Sequence, residues 1–268
     1  MNIICTIRSK NCTFGILFDI IPLGEVEMKI EHKCYIGLNN IDRNNKVNIK
    51  SFMTFLEDAG GIHSDLVGYG AYDIEKTMLN WMIISWKIKF FKKPSYNEHI
   101  KVVTWSKDIQ RLYAYRDFEV YNEQGELIAI ASSKWVLVNL ETKSITTPDE
   151  NLRKAYQSED ISAIDIKELG KLKEPNEYIS QVEIVPTRAM IDVNNHVHNI
   201  QYLDFAYSAL PDEVYYSDFS EVQIMYKKEI KLGEKVKAMY AFVEEDGTHT
   251  VAIKSEDESV LHSIIKLK

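Results

Sequence analysis

Asp192, Asn194 and His196 set a carboxylate, an amide and an imidazole within five residues, and Glu229 ends an apolar run further along the chain. These are the groups that acyl-bond hydrolysis uses. A carboxylate partly withdrawn from water has a raised pKa and can take a proton from an attacking water. An imidazole titrates near neutral pH. Amide groups at the start of a helix favour developing negative charge, so the segment could receive a thioester oxyanion. Each residue also has a plainer reading. Asp-x-Asn at a strand-to-helix junction caps the helix, a histidine beside an asparagine can be structural, and Glu229 can be a solvated strand-end acid paired with Lys227 or Lys231. Spacing alone leaves both sets open.

The same segment occurs twice. Ile41-Asp42-Arg43-Asn44-Asn45-Lys46-Val47 returns as Ile191-Asp192-Val193-Asn194-Asn195-His196-Val197 at an offset of 150, which is 192 minus 42. Phe52 against Tyr202, Met53 against Leu203 and Phe55 against Phe205 keep the register. One change matters chemically: Lys46 in the first copy is His196 in the second. The second half is equipped for proton transfer, and in the first half Asp42 and Asn44 read as caps. His198 reads as a residue of the helix start that faces solvent.

The elements that must hold these residues follow from periodicity. Each copy leads into a helix, 51–66 in the first half with a weak point at Gly60-Gly61, and 199–211 in the second, where Tyr202, Phe205, Ala206 and Ala209 share one face and Pro211 ends it. Alternating strands follow: Trp86–Phe90 and Val222–Tyr226, then Tyr113–Tyr121, Leu127–Leu140, Val236–Glu244, His249–Lys254 and Val260–Leu267. One helix covers one face of a sheet, so the economical arrangement wraps each antiparallel sheet around its helix and packs two such units together. The expected class is α+β, a double hot-dog of two tandem halves. Its divisions are an N-terminal extension 1–27, a first half 28–145, a linker 146–178 on an exposed path, and a second half 179–268.

Composition removes other classes. The formal charge of −8 argues against general nucleic-acid binding, which needs a clustered basic excess. No segment reads as a membrane span. Cys5, Cys12 and Cys34 are odd in number, form no CxxC pair and lack histidines at metal-ligand spacing, so no metal or cofactor is expected and the thiols read as reduced and cytoplasmic. Arg8 and Lys10 precede an apolar run, but Asp19 interrupts it and no small-residue cleavage site follows, which argues against a signal peptide.

The segments DVNNHVHNIQYL and MYKKE resemble the second-half signature of the plant and bacterial acyl-ACP thioesterases. FLEDAGGIHSDLVGYG, LNWMIISWKIKF and the stretch around RDFEVYNEQGELIA look like that family's first half, and the resemblance runs from about residue 28 to the end. It implies hydrolysis of fatty acyl thioesters carried on the phosphopantetheine of acyl carrier protein. Asp192, Asn194, His196 and Glu229 then match the acidic, amide, imidazole and general-base positions. Ile230 stands where plant members carry a cysteine, which implies a mechanism without a thiolate. The missing transit segment implies a bacterial cytoplasmic enzyme.

On that reading the acyl tail enters the first half, with Phe55, Trp81 and Met82 expected along the tunnel. Lys227, Lys228, Lys231, Lys235 and Lys237 are expected to dock the acidic carrier. A homodimer is compatible with this. The alternatives are an acyl-CoA hydrolase of the same fold and an acyl-binding protein without catalysis.

Overall fold

The computed structural model describes residues 29–268. Cys5, Cys12, the extension 1–27 and the signal-peptide reading lie outside the described residues.

Ile30–Tyr35 forms β1, and Ile49–Leu66 forms helix α1. Ile74–Thr77 is a single turn, α2. Four long strands complete the first half: Leu79–Phe90 (β2), His99–Ile109 (β3), Ala114–Asn122 (β4) and Leu127–Asn139 (β5). Ser144–Thr146 (β6) pairs with β5, and Glu150–Tyr156 (α3) opens the connection. The second half repeats the plan with Ser180–Ile184 (β7), Gln201–Ala209 (α4), the turn Asp212–Tyr215 (α5), Glu221–Tyr226 (β8), Val236–Val243 (β9), Thr248–Ser255 (β10) and Leu261–Leu267 (β11).

The sheets of the two halves join edge to edge. The order is β1-β3-β4-β5-β2-β8-β11-β10-β9-β7, antiparallel throughout, with β2 and β8 as the seam. Trp86 lies opposite Ile224 there, both fully buried, and the Ser85 hydroxyl donates to the Ile224 carbonyl at 2.9 Å. Lys87, buried in the same strand, pairs with Glu221 across the seam. One continuous sheet thus carries both helices, as the double hot-dog reading requires.

α1 forms because Ile49, Phe52, Met53, Leu56, Ala59, Gly60 and His63 recur with helical spacing, and all are buried. Asn48 caps it by accepting the Ser51 N–H at 2.8 Å. The helix does not weaken at Gly60-Gly61, because the tertiary packing of that face outweighs glycine's poor propensity. A Cβ on Gly60 would stand 3.4 Å from Arg116 Cδ.

The linker runs over the surface, most of its residues exposed, but it is pinned at intervals by Leu152, Tyr156, Ile164 and Leu169, all buried. Asp149 caps α3 through the Leu152 N–H at 2.8 Å. Further on, the Ala163 N–H donates to Asp117 at 2.7 Å and the Ile161 carbonyl accepts from the Trp105 indole at 3.0 Å. The apolar i, i+4 pair Leu152 and Tyr156 was the signal in the sequence.

Candidate active site

The two copies of the repeat adopt the same backbone. In the second, Ile191 bridges Val197, the Asp192 N–H donates to the His196 carbonyl at 2.8 Å, and Asn195 adopts φ 62°. In the first, Ile41 bridges Val47, the Asp42 N–H donates to the Lys46 carbonyl at 2.8 Å, and Asn45 adopts φ 61°. The second Asn of each pair is explained by that left-handed turn, which Asn tolerates better than most residues.

Asp192 holds the loop. One carboxylate oxygen accepts the N–H of Asn194 at 2.8 Å and of His196 at 3.1 Å; the other accepts the Asn194 side-chain amide at 3.4 Å. Asp42 accepts from Asn44 and Lys46 at the same two distances. These aspartates therefore cap tight loops, not helices. α4 starts only at Gln201, with no side-chain cap, and His198 occupies the place that Asn48 has before α1. Asp192, Asn194 and His196 do not open the helix, contrary to what their spacing suggests. The helix begins after His196, and the two loop amides are already bonded to Asp192.

Glu229 reaches the loop through the chain that follows it. The Val197 N–H donates to the Ile230 carbonyl at 2.8 Å, and His196 bridges Lys231. Beneath, the Ile230 N–H donates to the Tyr202 hydroxyl at 3.1 Å, and the Tyr226 hydroxyl donates to the Asn199 carbonyl at 3.1 Å. The two rings meet edge to face at 5.4 Å. Phe52 and Phe90 hold the equivalent contact in the first half, at 4.6 Å. The second half has thus gained two hydroxyls that fasten its loops, a difference visible in the repeat as Phe52 against Tyr202. Glu229 is exposed, and no side-chain hydrogen bond or ion pair joins it to His196 among the described residues.

The cavity lies in the first half. It has a volume of about 260 Å³, and its walls include Trp81, Ile109, Arg116 and Tyr156; Gly60 and Gly61 leave it room, and Val193 and Asn194 bring the second-half loop to it. The Trp81 indole donates to the Tyr156 hydroxyl at 2.9 Å, which donates in turn to Ser64 at 3.0 Å. Of the three side chains expected along a tunnel, Trp81 lines this cavity. Phe55 packs against the main core, and Met82 is 42 % exposed; neither lines it, because alternation along β2 sends Met82 to the other face.

Two lining groups escaped the sequence reading. Arg116 is buried, and its guanidinium donates to His63 Nδ1 at 2.8 Å and to Thr104 at 3.3 Å. Glu57, on α1, has its carboxylate 3.7 Å from His198 Nε2. Burial, with the charge of Asp58 in addition, pushes the Glu57 carboxyl up to about 8. The pattern around each is that of a helix or a strand, so only the assembled cavity marks them.

The lysines divide. Lys227, Lys228 and Lys231 are exposed beside Glu229. Lys235 pairs with Glu256 at 3.4 Å and Lys237 with Glu258 at 2.6 Å, so the turn between β10 and β11 offsets their charge. Cys34 is buried on β1, where burial first and Asp58 second push its thiol up to about 12. Among the described residues no cluster of His, Cys, Asp and Glu could hold a metal ion, and no helix is long and apolar enough to cross a membrane.

Solved structures of the same architecture exist. A 12:0-ACP thioesterase from Umbellularia californica superposes with a TM-score of 0.81 at 19 % identity, over 91 % of this chain and 98 % of that one. An acyl-ACP thioesterase from Bacteroides thetaiotaomicron gives 0.80 at 21 %, over 90 % and 97 %. In sequence, a chloroplastic oleoyl-acyl carrier protein thioesterase of Coriandrum sativum is 23 % identical over 81 % of this chain, which spans 63 % of that relative's length. One from Arabidopsis thaliana is 22 % identical over 91 % of the chain and 74 % of its own. Residues 27–156 match the acyl-ACP thioesterase N-terminal domain and residues 173–266 the acyl-ACP thioesterase C-terminal domain. With both domains present in order and most of its length matched, the chain belongs to the acyl-ACP thioesterase family.

Proposed function

We propose that this protein hydrolyses the thioester of a fatty acyl chain carried on acyl carrier protein, releasing free fatty acid. The observation that carries the reading is the cavity of about 260 Å³ in the first half, which reaches Asn194 in the second-half loop. An acyl tail lying there, against Trp81 and Tyr156, would leave its thioester carbon near that loop. Water attacks the carbonyl carbon and gives its proton to a base at the loop, Glu229 or His196. The C–S bond then breaks, and the sulfur leaves with that proton as the carrier thiol. Asp192 fixes the loop and Asn194 orients the carbonyl. Ile230, at the position next to Glu229, offers no thiol, which leaves an activated water, or Glu229 itself, as the attacking group.

That the relatives are thioesterases of oleoyl- and 12:0-acyl carrier protein supports the carrier as substrate. The assignment to the cytoplasm, and to bacterial fatty acid synthesis, belongs to the same proposal. The test is hydrolysis of a chain-length series of acyl-ACPs beside the matching acyl-CoAs. Faster turnover of acyl-ACP is expected. Equal or faster turnover of acyl-CoA would replace the carrier with the coenzyme, and acyl binding without turnover would leave a binding protein.

A further inference from the structure

Asp192 occupies the two loop amides that could otherwise receive a carbonyl oxygen. The cavity is lined by Val193 and Asn194 of the loop and, from the other half, by Glu57, whose carboxylate lies 3.7 Å from His198 Nε2. We propose that the Glu57 carboxyl donates a hydrogen bond to the thioester carbonyl oxygen, with the Asn194 amide as its partner, so that the oxyanion is received across the two halves.

Four observations converge on Glu57. It lines the cavity that also admits Asn194. It faces the second-half loop, since its carboxylate lies 3.7 Å from His198 Nε2. It has no counterpart in the first-half loop: the residue 150 positions on is Tyr207, whose hydroxyl feels the charge of Asp42 as Glu57 lies by the second-half loop. The asymmetry therefore runs the same way as Lys46 against His196.

The fourth is its charge state. The groups around it are Asp58 on its own helix, His198 from the loop and the half-buried Tyr226 from β8. Burial and Asp58 push Glu57 up to about 8, and burial pulls His198 below its ordinary value. At neutral pH the contact is a neutral acid opposite a neutral imidazole. A carboxylic acid held neutral by its surroundings can act as a donor to an oxyanion. In the tetrahedral state the carbonyl π pair moves to the oxygen, the base holds the water proton, and Glu57 keeps its own.

The inference rests on the proposed thioester hydrolysis. Its test compares the unsubstituted protein, Glu57→Leu and Glu57→Gln on acyl-ACP, with kcat and KM followed from pH 6 to 9 and melting curves for all three. Glu57→Leu removes the donor and should lower kcat by about 10²- to 10³-fold, with KM little changed. Glu57→Gln donates at every pH, so it should recover most of kcat at pH 7 and abolish the fall in kcat expected of the unsubstituted protein above pH 8. Full activity in Glu57→Leu would overturn the proposal. So would a Glu57→Gln variant as inactive as Glu57→Leu, or one that keeps the alkaline fall. Should Glu57→Leu not fold, the Gln variant and the pH profiles decide alone. If the unsubstituted protein turns over no acyl thioester, the functional reading itself fails; if it does and the variants behave alike, only Glu57 is wrongly assigned.

Discussion

The Tyr202 hydroxyl accepts the Ile230 N–H at 3.1 Å and so ties α4 to the residue that follows Glu229. Its counterpart Phe52 cannot make that bond. Tyr202→Phe should leave a buried amide unpaired and cost about 1–3 kcal/mol, measurable as a shift in the urea midpoint. Because the freed segment carries Glu229, kcat should fall while binding of a free fatty acid stays. A variant as stable and active as the parent would show that the hydroxyl holds nothing.

The two halves should be unequal in catalysis. His196→Ala removes an imidazole from the loop beside the cavity and should lower kcat by about 10²- to 10⁴-fold. Lys46→Ala removes a lysine whose ammonium donates to the Ser95 hydroxyl at 3.0 Å, a structural tie in the other half. It should leave kcat nearly unchanged and cost a little stability. Equal losses in steady-state assays of the two folded variants would remove the chemistry from the second half.

The repeat at offset 150 was legible because both copies need the same tight loop, and the Asn pair is the residue choice that a left-handed turn permits. Helices and strands were legible from one apolar face each. Three features were not. Asp42 and Asn44 read as helix caps because an Asx loop and a cap use the same residue types. The buried anchors of the linker hid because its apolar residues are sparse among charges. Glu57 and Arg116 hid because their neighbours in the cavity come from other elements, and a one-dimensional pattern carries no record of which side chains meet.

Hydrolysis should need Glu229 and no thiol. Glu229→Gln should lower kcat by about 10²- to 10⁴-fold with acyl binding largely kept. Cys34, buried and pushed up to about 12, stays a protonated thiol at pH 8 and should resist alkylation in the folded protein. Turnover should survive exhaustive iodoacetamide treatment, checked by mass spectrometry. Loss of activity in step with alkylation would point to a different nucleophile.

Carrier docking should follow the free lysines. Reversing Lys227, Lys228 and Lys231 to Glu should raise KM for acyl-ACP by about tenfold, roughly 1.4 kcal/mol, and barely change it for an acyl-pantetheine. The effect should shrink at high salt. Lys237→Glu should do less to docking, because Glu258 already neutralises that lysine. Equal effects on carrier and small substrate would exclude this surface.

The histidine behind the cavity wall, bonded to Arg116, should also set the acid limit of stability. His63 is fully buried, and its Nδ1 must accept from the Arg116 guanidinium at 2.8 Å, which keeps the ring neutral. Burial first, and the Arg116 charge second, pull its pKa from 6.5 down to about 3. The unfolded chain takes up a proton below 6.5 and the folded one does not. The stability His63 contributes is therefore present above pH 6.5 and lost as pH falls toward 3, at up to roughly 1.4 kcal/mol per pH unit. Glu57 runs the other way: with its pKa raised from 4.5 to about 8, its contribution is present below 4.5 and lost as pH rises to 8. The two slopes oppose each other between pH 4.5 and 6.5, so the parent protein should change little there. His63→Gln keeps an acceptor for Arg116 without titrating, and should expose the Glu57 slope, with stability falling steadily as pH rises across that range. Urea midpoints of the parent and of His63→Gln at half-unit steps measure the difference; parallel curves would show that His63 is not held neutral in the fold.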